Sequence, residues 1–191
     1  MVRQMRDPAF KAKQFAGVHL PHVTEVNQLV ESLRQSGLSS GGRGWVPYVA
    51  PIHGGTEAHI LSILRDPGPM THESKGSGML CVENYDDSAA LQCELLASVE
   101  LTPADLTPWN TYPWYRHDQS SGLRSSQITE GLAPLGRLIE LMPNLEVVLL
   151  QGGEAQTLWK RFTRKHPRIA TQYTAVGTYH PGKTALRTPD P

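Results

Sequence analysis

Residues 145–153 read Leu-Glu-Val-Val-Leu-Leu-Gln-Gly-Gly, and this run decides the fold. A short, almost unbroken apolar stretch stopped by two glycines predicts a strand buried on both faces. Such strands belong to parallel sheets with helices over each side. Directly after it, Glu154 to Lys165 has the period of a helix with a basic face. Tyr173 to Thr178 then reads as the last strand, ending at Tyr179-His180-Pro181-Gly182.

The same alternation extends upstream. Ser125 to Met142 carries Ile128, Leu132, Leu135, Leu138 and Ile139 at helical spacing, with Pro134 expected to kink it. Pro103 to Pro113 is extended and leads into the aromatic cluster Trp109, Tyr112, Trp114 and Tyr115. Asp86 or Asp87 is the expected cap of a helix carrying Ala90, Leu91, Leu95 and Leu96. Met79 to Val82 is a short extended piece, and Ile60 to Leu64 a buried strand halted by Arg65-Asp66-Pro67-Gly68-Pro69. Further back, Val46 to Ala50 is extended, and Ser36 to Gly44 reads as a Gly/Ser loop. Thr24 is the expected cap of a helix that Gly37 ends. Residues 1–20 read as an arm or short helix ahead of one domain at 21–191. Strands alternating with helices predict an α/β fold, β-α-β-α-β around a mainly parallel central sheet.

With 39% hydrophobic residues in 191, the chain has the material for a packed core. Lys plus Arg and Asp plus Glu both number 18, so no overall charge advertises a polyanionic partner. The basic residues gather past Gln151, at Lys160, Arg161, Arg164, Lys165, Arg168, Lys183 and Arg187, against Glu154 and Asp190. Cys81 and Cys93 are the only cysteines, which excludes a disulfide scaffold and the four thiolates of an iron–sulfur cluster. That usage, with no apolar run of about 20 residues and no signal-peptide core, points to the cytoplasm. His19, His22, His53, His59 and His72 match no zinc spacing, and the GxxxxGK[ST] phosphate loop is absent. No metal or cofactor is expected.

In open parallel sheets ligands bind beyond the carboxyl ends of the strands. Three predicted strand ends carry polar groups there: Asp66, Asn110 and His180. Hydrolysis of an N-glycosidic bond needs that set. A carboxylate steadies the oxocarbenium-like sugar and orients a water. A histidine donates to the leaving base anion. An Asn amide reads a base edge with one donor and one acceptor. Singly, each has an ordinary reading: Asp66 before Pro67 forms turns, Asn110 caps, and His180 is a loop histidine.

Leu64-Arg65-Asp66-Pro67-Gly68-Pro69 resembles the first motif of the uracil-DNA glycosylase superfamily, an Asp-Pro or Ala-Pro-Gly turn after the first sheet strand. Leu106 to Trp114 (Leu-Thr-Pro-Trp-Asn-Thr-Tyr-Pro-Trp) is similar to the strand bearing that family's base-reading Asn. Gly177-Thr178-Tyr179-His180-Pro181-Gly182 resembles its His-Pro-Ser motif. Glu83-Asn84-Tyr85-Asp86-Asp87-Ser88 is similar to an Asp-Asn-Asp-Asp-Pro-Thr segment of a bacterial glycosylase-like branch. The motifs fall in order over roughly 46–186.

The resemblance implies a three-layer α/β/α fold with a four-stranded, mainly parallel sheet. It implies a monomeric enzyme that removes uracil or a related deaminated base from DNA in base excision repair, without a cofactor. Asp66 would position the water, Asn110 read the base and His180 stabilise the departing anion. Pro67 and Gly68 would help bind the base, with backbone amides near Pro67 to Met70 contacting base or phosphate. Pro181, Gly182 and Lys183 would enter the minor groove, with Leu186 as a wedge. The chain departs from the family pattern in four places. Gly182 replaces the usual Ser; no Phe is available to stack on the base, leaving Tyr85 or Val82; Gly68 occupies the selectivity position; and iron–sulfur cysteines are missing. Two other functions remain open: a catalytically weak DNA-binding or damage-sensing relative, and a hydrolase of free nucleosides or nucleotides.

Overall fold

The architecture was obtained as a computed structural model, which describes residues 3–39 and 44–182. Four strands form its parallel sheet: β2 (Ile60–Leu64), β4 (Leu106–Asn110), β5 (Val147–Gln151) and β6 (Thr174–Thr178), after a short β1 (Tyr48–Val49). Their order is β4-β2-β5-β6, every neighbour parallel. This is the α/β sheet expected from the alternating pattern. The register aligns Leu64 with Asn110, and Gln151 with Thr178, so the strands finish on one edge. Between β2 and β5 the outgoing connections turn opposite ways, which opens a crevice at the carboxyl ends. A separate parallel pair joins Tyr48 to Met79 and Val49 to Leu80 of β3 (Met79–Leu80).

Side-chain alternation along β2 divides the layers. Leu61 and Ile63 are fully buried in the main core with Val148, Leu158 and Phe162. The last two belong to α6 (Gly153–Lys165), which packs on β5 and β2. Ser62 points the opposite way and accepts from Gln92 of α3 (Asp87–Ser98) at 3.3 Å, so α3 covers the other face. Asp86 caps α3, its Oδ1 accepting from the Ala89 N–H at 2.9 Å.

Several expected boundaries move. The helix expected from Thr24 starts earlier, as α2 (Pro21–Ser39), because Pro suits a first turn. Thr24 sits inside it and donates back to the His19 and Leu20 carbonyls. Gly37 does not end that helix; residues 40–43 of the Gly/Ser loop lie outside the described residues. Residues 3–20 pack onto the domain. They form α1 (Pro8–Ala16), while Met5 and Val18 join Ala50, Met79 and Cys81 in a second apolar cluster. The helix expected over 125–142 is two, α4 (Ser125–Glu130) and α5 (Leu132–Glu140). The break falls at Gly131, where a Cβ would come within 1.8 Å of the Thr111 carbonyl oxygen. Pro134 sits in the first turn of α5, where its missing N–H costs nothing, so it kinks no helix. The last strand, β6, is an edge whose residues are mostly exposed. Among the described residues no helix is long and apolar enough to cross a membrane.

Candidate functional site

The aligned strand ends meet in a cleft of about 280 Å³. Asp66, Pro67 and Gly68 enter it from the turn after β2, Asn110 from the end of β4, and His180 from beyond β6. Val82 and Asn84 line it from the segment after β3, and Asp86, Asp87 and Gln92 from the start of α3. Asp66, Asn110 and His180, separated by up to 114 positions (180 − 66), thus share one cavity because parallel strands end on one edge.

Asp66 is the most constrained of the three. Its side chain is 2% exposed, and both oxygens are taken: Oδ1 by Arg65 Nε at 2.6 Å and Oδ2 by Arg116 Nε at 2.7 Å. Arg116 also donates to the Ser121 and Gly122 carbonyls, and Gln119 donates to the Pro67 carbonyl at 2.6 Å. These bonds latch the 116–122 loop over the Asp66 turn. Each carboxylate oxygen retains a second lone pair, enough to orient a water. With two guanidinium groups on one carboxylate the cluster carries a net positive charge, which suits a nearby phosphate.

Asn110 is buried, and its amide is free of hydrogen bonds to the other described residues. It therefore offers the cleft a donor and an acceptor. His180 is half-buried beside Gly152, whose φ of +99° only glycine adopts easily and whose Cβ would meet His180 Cβ at 3.5 Å. Burial holds the His180 imidazole below the ordinary histidine range, and the Arg65 guanidinium adds to this; Glu154, Asp66 and Asp86 pull the other way. A neutral imidazole keeps one N–H to donate. Cys81, on the same wall, has its thiol pushed up to about 12 by burial, so it is no thiolate nucleophile at neutral pH.

The wall carrying Val82 is fixed from behind by His53, which is 1% exposed. Nδ1 of His53 lies 3.0 Å from the Pro103 carbonyl, and Nε2 accepts from the Val82 N–H at 3.3 Å. Gln92 bridges to Gln151 at 2.5 Å and closes the floor between α3 and β5.

Other expected site residues lie elsewhere. Tyr85, expected to stack on a base, is outside the cleft lining; the residue is 47% exposed, with the Arg6 guanidinium carbon 3.1 Å from its ring centroid. Its neighbours Asn84 and Asp86 line the cleft, while Tyr85 between them does not. Val82 is an apolar side chain on that wall, beside Leu80 and Cys81. Pro181 and Gly182 lie just past the cleft lining. A Cβ on Gly182 would stand 3.0 Å from His180 Nδ1, so a serine there requires the imidazole to shift slightly. Lys183 and Leu186 lie outside the described residues. The basic helix α6 starts at the cleft edge and runs antiparallel to β5, carrying Lys160 to Lys165 away from it.

Sequence reasoning missed Arg116, Gln119 and Gln92. Only Arg65, adjacent to Asp66, left a local trace; Arg116 meets Asp66 across 50 positions. A scan against protein-family models and a search of curated proteins both return no match for this chain.

Proposed function

We propose that the cleft hydrolyses the N-glycosidic bond of uracil or a related deaminated base in DNA, as the uracil-DNA glycosylase superfamily does. One observation carries the reading: Asp66, Asn110 and His180, from three separate strand ends, line a single cavity. The cavity suits one extruded base, and extrusion is how enzymes reach a base held in a duplex.

The chemistry follows from the positions. Asn110 pairs with a carbonyl and an adjacent ring N–H of the base. The C1′–N bond breaks with its electron pair moving to the base, and the neutral His180 N–H donates to the base oxygen where charge grows. A water held at Asp66 adds its oxygen to C1′, and its proton leaves to the base or to solvent. Asp66 places negative charge near the cationic sugar, while Arg65 and Arg116 fix it and leave the cluster net positive. Gly68, whose Cβ position has nothing within 4 Å, leaves room for bases larger than uracil.

A second reading rests on the same carboxylate. With both oxygens already accepting from arginine, Asp66 suits a module that binds damaged DNA with little turnover. A gel assay separates the two. Oligonucleotides carrying uracil, hypoxanthine or xanthine are treated with protein and then alkali, beside Asp66→Ala and His180→Ala variants. Strand breaks that vanish in the variants support the enzyme; salt-sensitive binding without breaks supports the binding module.

A further inference from the structure

A second cavity, also of about 280 Å³, adjoins the cleft and shares Met70 and Asn84 with it as a common wall. Its outer side comes from the N-terminal segment, with Met5 and Arg6, and from the loop after β2, with Lys75, Gly76 and Ser77. Most polar groups there are committed. Ser77 Oγ donates to the Met79 carbonyl, the Gly76 carbonyl accepts from Lys11 Nζ at 2.7 Å, and Glu83 is held by Arg3 and the Gln4 N–H. Asp7 caps α1.

Arg6 and Lys75 differ. Neither forms an ion pair among the described residues, and both are exposed. The guanidinium carbon of Arg6 stands over the Tyr85 ring, 3.1 Å from its centroid, a cation–π contact that orders the group and leaves N–H donors for a ligand. A guanidinium held on an aromatic ring and lining one cavity with an ammonium is a site for an oxyanion.

We infer that this cavity binds a backbone phosphate of the same DNA strand whose base enters the cleft, through Arg6 and Lys75. The inference rests on the proposed function and extends it, giving the N-terminal segment a part in recognition. The shared wall sets the spacing: a strand with one nucleoside in the cleft carries its next phosphodiester past Met70 and Asn84. Tyr85 then serves as the bed for Arg6 rather than as a platform for the base.

The test is a fluorescence titration of full-length protein with a single-stranded, uracil-containing oligonucleotide over a series of salt concentrations. Replacing Arg6 and Lys75 together by Gln is expected to weaken binding about three- to tenfold and to flatten log K against log[salt] by about 0.7, one phosphate's share on a single strand. Arg6→Lys with Lys75 intact is expected to keep the slope, and Lys165→Gln, at the far end of α6, to change nothing. Unchanged thermal melting of the double variant shows that it folds. Wild-type protein that binds and cuts while the double variant keeps its full slope overturns this inference alone. Wild-type protein that neither binds nor cuts overturns the DNA reading and this site with it.

Discussion

His53 gives the sharpest physical prediction, because its environment is closed. Burial lowers its pKa from 6.5 to about 4, and the weak opposing pull of the Pro103 and Leu106 backbone and of Glu83 does not restore it. The bonds agree: a carbonyl opposite Nδ1 requires N–H there, and an N–H opposite Nε2 requires a lone pair, so the folded protein holds the neutral ring. Unfolded, the ring takes a proton below pH 6.5. The stabilisation is therefore complete above 6.5 and is lost as pH falls towards about 4, where the folded form protonates too. At about 1.4 kcal/mol per pH unit the loss reaches at most about 3–4 kcal/mol. Urea titrations from pH 7.5 to 4, on wild type and His53→Asn, read it directly. The Asn amide can keep the bond to Pro103 but not to Val82, so the variant starts about 1–3 kcal/mol less stable. The gap between the two proteins should then narrow with acid. A gap that stays constant, or an NMR titration of His53 near 6.5, refutes the buried neutral ring.

Other consequences can be checked independently. Arg116→Met frees Asp66 Oδ2 and the 116–122 loop, and should lower stability by about 1–3 kcal/mol in thermal melts while reducing base release. Trp109 is buried with its Nε1 unpartnered, so Trp109→Phe removes an orphaned donor and should cost under about 1 kcal/mol in denaturant unfolding, whereas Trp109→Ala should cost about 3–5. Because His180 sits below the usual histidine range, kcat/KM for base release should hold as pH drops through 6.5 and decline only below it; a decline centred at 6.5 or above contradicts the neutral donor.

The parts of the fold that repeat locally were legible in the chain. Ile60 to Leu64 and the apolar run ending at Leu150 announce themselves because strands buried on both faces have no polar side to show. The end of the first located Asp66, the end of the extended stretch through Leu106 located Asn110, and the turn after the last strand located His180. What depends on distant pairing left no such mark. Nothing local predicts that Tyr48 pairs with Met79, or that Arg116 closes on Asp66. Of the basic residues past Gln151, Lys160, Arg161, Arg164 and Lys165 ride on α6, which leads away from the cleft, while Lys183 and Arg187 lie outside the described residues. Cations drawn from elsewhere in the chain, among them Arg65, Arg116, Arg6 and Lys75, stand beside the cavities. Tyr85 was singled out by its aromatic ring, but its orientation was set by Arg6, a residue in a segment with no evident role in the sequence.

The most direct test is single-turnover mass spectrometry of wild-type protein with an oligonucleotide bearing one uracil, before any alkali. The predicted result is free uracil and an unbroken abasic strand in equal amounts, both lost with Asp66→Ala. An unaltered strand, with no base released from uracil, hypoxanthine or xanthine substrates, contradicts the hydrolase and leaves a cleft that only binds.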